Sequence, residues 1–199
     1  MKDLISILTQ TKQLLTDPTI KWKSYDVDWV YPKEARLWTE VETPFATIRV
    51  AYQKFYPIDI NDNNQMFIDS LYYHNHPWPK EMYIVKGDVK HGISTTNNPL
   101  YYMRYSDINE KIMQDDLVNN ELAVLYHGKD SYFSFDNIKT WHYLKPLYQQ
   151  PVYSIMITYE PWIKGPKAPH DIKEVSTEEI NDIKKTMLDW FETSMYKLS

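Results

Sequence analysis

The spacing of hydrophobic positions changes period twice along the chain. Leu4, Ile5, Leu8 and Leu15 recur near helical spacing, and "TDPT" stops the pattern at Pro18, which predicts an N-terminal helix within 1–18. From 20 to 160 the period falls to two, in short runs rich in Tyr, Val, Ile, Phe and Trp separated by prolines and polar loops. These runs predict strands at 21–30, 46–56, 66–74, 81–86, 89–94, 100–105, 121–126, 131–135, 140–144 and 151–159. Near the C-terminus Ser176 stands three residues before Glu179 as a capping box. Ile180, Ile183, Met187, Phe191 and Met195 then share one face of a helix over 176–197. The stretch "SDINEKIMQDDL", 106–117, breaks the alternation and reads as an inserted helix or loop. Ten short strands in one unit imply a mainly β sandwich or barrel, with the terminal helices packed outside it. "VKGDVK" supplies a hairpin turn at Gly87-Asp88. A length of 199 residues is expected to form a single domain, 1–199.

Composition narrows the classes. A net charge of -5, with no clustered run of Lys or Arg, argues against a nucleic-acid footprint. The absence of cysteine removes disulfides, thiolate ligands and thiol nucleophiles. Asp3, Thr9, Gln10 and Lys12 interrupt the N-terminus, so it lacks the apolar centre of a signal peptide, and no apolar run approaches a membrane span; a cytoplasmic protein is expected. There is no Gly-rich phosphate loop, and no Ser stands in a nucleophile-elbow context. The chain is rich in Tyr and Trp, residues that favour strands and concave pockets for small molecules.

Chemistry concentrates in "YYHNHPWPKEMYIVKG", residues 72 to 87. His74 and His76 stand at i and i+2, so on a strand both imidazoles leave one face with alpha carbons ~7 Å apart. The "PWPK" turn follows, and Glu81 then opens the next strand, from which its carboxylate can swing toward the same point. Two neutral nitrogens and one anionic oxygen suit a first-row divalent metal and leave coordination positions open. A fourth ligand has to come from a distant strand, and His142 in "TWHYLKP" is the best candidate. His91 and His127 read as a polar wall or loop residues, and His170 as exposed.

H-x-H, four residues, Glu, five residues, Gly, then a lone His before an apolar strand: this order resembles the two motifs of the cupin superfamily. The likeness covers about residues 66 to 160. The family's glycine ahead of the first histidine falls at Ile68, and in the second motif Asn137, Lys139 and Pro146 replace the usual residues. The resemblance implies a double-stranded β-helix, the small jelly-roll barrel, with His74, His76, Glu81 and His142 binding one metal inside it and Gly87 at the closing turn. Fe, Mn, Ni, Co, Cu and Zn all accept this donor set, and Fe(II) is slightly favoured.

Parity places Tyr72 beside the histidines, and Tyr83 and Val85 on the face of Glu81, as pocket wall; Arg49 and Arg104 are possible contacts for a substrate carboxylate. The resemblance implies a dioxygenase or related oxidoreductase acting on a small organic substrate. A metal-dependent isomerase or lyase of a small sugar or carboxylic acid stays open, as does a non-catalytic small-molecule-binding module. The tail from His142 is similar to thiol dioxygenases, but the last strand offers Ser154, Met156 and Thr158 where those enzymes place a histidine array, so cysteine is rejected as substrate. Three arginines are few for clamping the pyrophosphate of a sugar nucleotide, which argues against the fold's epimerases. The expected partners are a small molecule and, through strand or helix contacts, a second copy in a homodimer.

Overall fold

The computed structural model describes residues 2–27, 33–42, 47–57, 73–74, 79–95, 110–135, 140–159 and 174–194. Within them helix α1 (Lys2–Thr16) precedes strands β1 (Lys23–Val27), β2 (Glu34–Glu42), β3 (Thr47–Phe55), β4 (Lys80–Lys86) and β5 (Val89–Thr95). Helix α2 (Glu110–Asn119) follows. Then come β6 (Glu121–His127), β7 (Tyr132–Phe135), β8 (Thr140–Pro146), β9 (Val152–Tyr159) and helix α3 (Thr177–Thr193). Both terminal helices lie where the periodicity puts them. Ser176 caps α3 as expected, its hydroxyl accepting from the Glu179 amide at 3.2 Å. No described helix is long and apolar enough to cross a membrane.

The strands form two antiparallel sheets, ordered β1-β2-β3-β9-β4-β7 and β6-β5-β8. An isolated bridge joins His74 to His142 of β8, so the residue of the first motif extends the small sheet on its β8 side. Four neighbours of one sheet, β3-β9-β4-β7, therefore face His74-β8-β5-β6 of the other. That interleaving of early and late strands is the mainly β jelly-roll arrangement expected from the sequence.

Several local expectations change. β2 was absent from the predicted strands. The segment 106–117 contains the start of α2, which runs on to Asn119. Of the predicted strand 66–74 only the end at His74 is described, and 100–105 lies outside the described residues. The turn at Gly87-Asp88 is not a hairpin, because β4 pairs with β7 and β9 whereas β5 pairs with β6 and β8. It carries the chain from one sheet to the other. Gly87 takes φ +84° there, and an added Cβ would stand 3.1 Å from the Pro151 carbonyl, so glycine is required twice over. At Gly92 the reason is space alone: the Tyr143 ring lies across it, 1.9 Å from where a Cβ would be.

Alternation along the strands sorts side chains to two cores. One face of the large sheet packs Leu37, Tyr52, Val85, Ile155 and Ile157 against Leu8 and Leu15 of α1 and Ile183, Met187, Trp190 and Phe191 of α3. The opposite face turns Ala51, Phe55, Met82, Ile84 and Met156 toward Val89 and Leu144 of the small sheet, forming the barrel interior. Tyr73, Leu117, Trp141 and Tyr143 make a third cluster on the far side of the small sheet.

Candidate functional site

Pairing register builds the interior site. His74 and His142 exchange backbone hydrogen bonds of 2.8 Å in both directions, which fixes them directly opposite each other. Their neighbours Tyr73 and Tyr143 meet edge-on at 5.0 Å in the third cluster, so both histidines turn the other way, into the barrel. The two imidazoles stand 4.4 Å apart between centroids. On β5, His91 lies on the same face, 5.4 Å from His142, and its Nδ1 is 3.2 Å from Nε2 of His127 on β6. Phe133 stacks on His127 at 4.2 Å and closes that end. Burial, then the neighbouring His74, His91 and Lys80, drives the His142 pKa well below the usual range. His91 is lowered to about 4, first by burial and then by His127 and His74. Both rings thus favour the neutral form near pH 7, the form in which an imidazole nitrogen can accept a hydrogen bond or bind a metal.

The facing wall differs from expectation. Glu81 shares the outward face of β4 with Tyr83 and Val85, and its carboxylate accepts from the Tyr159 hydroxyl at 2.9 Å on the helix-covered side. Glu81 is therefore corrected from a ligand inside the barrel to an outer-face acceptor. Tyr83 and Val85 are corrected from pocket wall to the core beneath the helices. The residue that enters the interior is Lys80, 7% exposed, on the face of Met82 and Ile84. Burial, then the Arg36 guanidinium, lowers its pKa; Glu34 pulls it back up and Arg49 pushes it down again, leaving it at about 7.

Lys80 belongs to a polar stripe on the inner face of the large sheet. Glu34 accepts from Gln53 at 2.9 Å and pairs with Arg36, and the Ser154 hydroxyl donates to Gln53 at 3.3 Å. Nearer the rim Arg49 meets Glu40 at 3.0 Å and lies over the Trp38 ring at 4.3 Å. Arg49, expected as a carboxylate contact, thus faces inward. His76, Tyr72, Arg104 and His170 lie outside the described residues. Lys80, Trp38, Glu34 and Gln53 were not anticipated. The alternation in "EARLWTEVE" was their available signal, since its even positions carry Glu34, Arg36, Trp38 and Glu40 to one face.

The donor set tests the metal reading only in part. His74 and His142 bring two imidazoles together, a donor type that fits a first-row divalent ion, but the expected carboxylate ligand is directed elsewhere. Among the described residues no three His, Asp or Glu side chains are arranged to hold a metal ion. Of the expected four, His74 and His142 come together, Glu81 does not join them, and His76 lies outside the described residues.

No protein-family model matches the sequence, and no curated protein matches it. Solved structures do. Drosophila melanogaster CENP-C is similar at 10% identity, with 80% of this chain and 98% of that one covered and a TM-score of 0.42. Bacillus subtilis oxalate decarboxylase, which has Mn(II) centres, is similar at 12% identity and a TM-score of 0.41; 76% of this chain matches 30% of that longer one. KdgF from Halomonas sp. is similar at 10% identity, covering 71% and 87%, with a TM-score of 0.38. The strand order carries the fold statement, and likenesses this distant transfer no residue roles.

Proposed function

We propose, from the cupin-like jelly-roll fold as premise, that the barrel interior binds a small organic molecule beside one divalent transition metal held by His74 and His142. The observation that carries this reading is the reciprocal backbone pairing of those two residues, which presents their imidazoles side by side between the sheets, with that of His142 held in its neutral form by burial. His76, two residues from His74 in the sequence, is the further nitrogen the chain offers. Bound there, a divalent ion supplies Lewis acidity or, as Fe(II), redox chemistry toward dioxygen, and the activity that follows is an oxidoreductase of the dioxygenase kind. The chain's own part is to enclose the ligand: Met82, Ile84, Phe133 and Met156 exclude water, while the polar stripe orients it.

A second reading, a binding module without turnover, is favoured by Lys80, whose buried side chain brings an amine into the interior where it can contact a bound ligand. Metal analysis tests the metal, and turnover separates the two readings. Native wild-type protein, or protein loaded anaerobically with Fe(II), is expected to retain about one ion per chain, and His142→Ala to retain almost none, since one imidazole is a large share of so small a donor set. A wild type that cannot be loaded sinks the metal reading. Oxygen uptake with a panel of small acids, phenols and sugars then identifies the oxidoreductase. Conversion without oxygen identifies an isomerase or lyase.

A further inference from the structure

We propose that Glu81, Tyr83, Tyr132 and Tyr159 form a site for the primary ammonium group of a small amine. The site lies on the other side of the large sheet from the barrel interior, and it is independent of whether a metal binds there. Register gathers the four residues. Glu81 and Tyr83 alternate outward along β4, Tyr83 is paired directly with Tyr132 of β7, and Glu81 is paired with Ile157 of β9, two residues before Tyr159. The Tyr159 hydroxyl donates to Glu81 Oε2 at 2.9 Å, and the Tyr132 hydroxyl also interacts with that carboxylate. The cluster spans the margin of the helix-covered seam, because exposure rises from 3% at Tyr83 to 45% at Tyr132.

Two features mark these residues as more than packing. Glu81 is half-buried, yet among the described residues no cation pairs with it, and a carboxylate taken partly out of water without a counter-charge is costly. The Tyr83 hydroxyl is buried and has no hydrogen-bond partner. It stands on the face of Glu81, its ring packs on that of Tyr132 at 4.8 Å, and burial, then Glu81, Tyr132 and Tyr159, raises its pKa, so it stays a neutral phenol. A buried phenol of this kind calls for a partner.

Hydrogen-bond roles select the ligand. A carboxylate only accepts, and a tyrosine hydroxyl that donates to it keeps its own lone pairs, so the cluster presents accepting oxygens around one negative charge. A primary ammonium is the complement, with three donors, no acceptor and one positive charge. A methylated ammonium would instead need ring faces on either side of it, each within about 6 Å. The Tyr83 and Tyr132 rings pack on each other and leave no gap for such a head. Calcium takes roughly six to eight oxygens, more than one carboxylate and three phenols supply.

The test is calorimetric titration at fixed ionic strength, since salt screens a half-exposed charge, with butylammonium chloride, tetramethylammonium chloride and 1-butanol as probes. Butylammonium is expected to bind about tenfold or more tightly than butanol, which carries the same chain without the charge. Glu81→Gln keeps the shape and is expected to remove about tenfold or more of that affinity while leaving butanol unchanged. Tyr83→Phe keeps the ring and is expected to weaken butylammonium about threefold or more. Because it deletes a buried hydroxyl that has no partner, the same variant is expected to hold or raise the urea midpoint of the unliganded protein. Butylammonium that binds no better than butanol overturns the site, as does unchanged butylammonium affinity in both variants. Tetramethylammonium that binds as tightly as butylammonium overturns the assignment to a primary ammonium. A lowered urea midpoint in Tyr83→Phe would show the hydroxyl already bonded within the fold, and the site would fall with it.

Discussion

The two faces of the six-stranded sheet are built from alternate residues of the same strands, yet one is a structural seam and the other is a chemical surface. On β4 the odd positions, Glu81, Tyr83 and Val85, go under the helices; the even positions, Lys80, Met82 and Ile84, enter the barrel. On β9 Ile155 and Ile157 repeat the first pattern, and Ser154, Met156 and Thr158 the second. A displacement of one residue therefore moves a side chain from one role to the other. The variant expected to strain this division most is Phe191→Ala. Its ring is 2% exposed and lies 5.1 Å from Trp190, where α3 seals the outer face. Truncation is expected to cost about 3–5 kcal/mol in urea unfolding. Metal content of the folded fraction is expected to stay at the wild-type level, because none of the described histidines belongs to this seam. Loss of metal from still-folded protein would show that the two faces are not independent.

Glu81→Gln sharpens the comparison at its most ambiguous residue. With Glu81 on the outer face, the substitution weakens the hydrogen bond from Tyr159 and is expected to cost about 1 kcal/mol in urea unfolding, with metal content unchanged. The opposite outcome, unchanged stability with metal lost, would return Glu81 to the ligand set.

Local pattern made the helices and most strands legible, and the H-x-H spacing singled out His74, which the pairing with β8 sets beside His142. What could not be counted was parity across "PWPK". A turn with two prolines resets the alternation, so the facing of Glu81 and Lys80 does not follow from that of the histidines before it. β2 was missed for a related reason. Its inward positions include buried Glu34 and half-buried Arg36, which pair with each other, so the strand reads as charged although one edge of the barrel interior depends on it. His91 shows the third limit. Its approach to His142 depends on β5 lying beside β8, a pairing between strands distant in sequence, and nothing in the residues around His91 encodes it.

The smallest expected effect belongs to the ion cluster that ties α3 to the outer face. Lys54 of β3 donates to Asp182 at 2.7 Å and to Glu179, and the Tyr153 hydroxyl donates to Asp182 at 2.7 Å. Burial alone would raise the Asp182 pKa, but the hydrogen bonds from Lys54 and Tyr153 outweigh it and hold the carboxyl below its ordinary value. A folded-state pKa below the unfolded one means that the stabilisation is present above about pH 4, the unfolded carboxyl value, and is lost as pH falls through the lower folded value. Lys54 runs the other way. Burial disfavours its charge, but Asp182 and Glu179 raise its pKa above the ordinary lysine value, so its contribution is present below about pH 10 and lost as pH rises through the folded value. Between those limits the cluster is insensitive to pH. Asp182 is 42% exposed at the side chain, so solvent screens the pair, and Asp182→Asn is expected to cost only about 0.5–1 kcal/mol at pH 7. In urea unfolding repeated near pH 3 and below, the gap between wild type and variant should close as the wild-type carboxyl is protonated. A gap that persists undiminished would mean that packing, rather than this charge, holds the N-terminal end of α3 on the sheet.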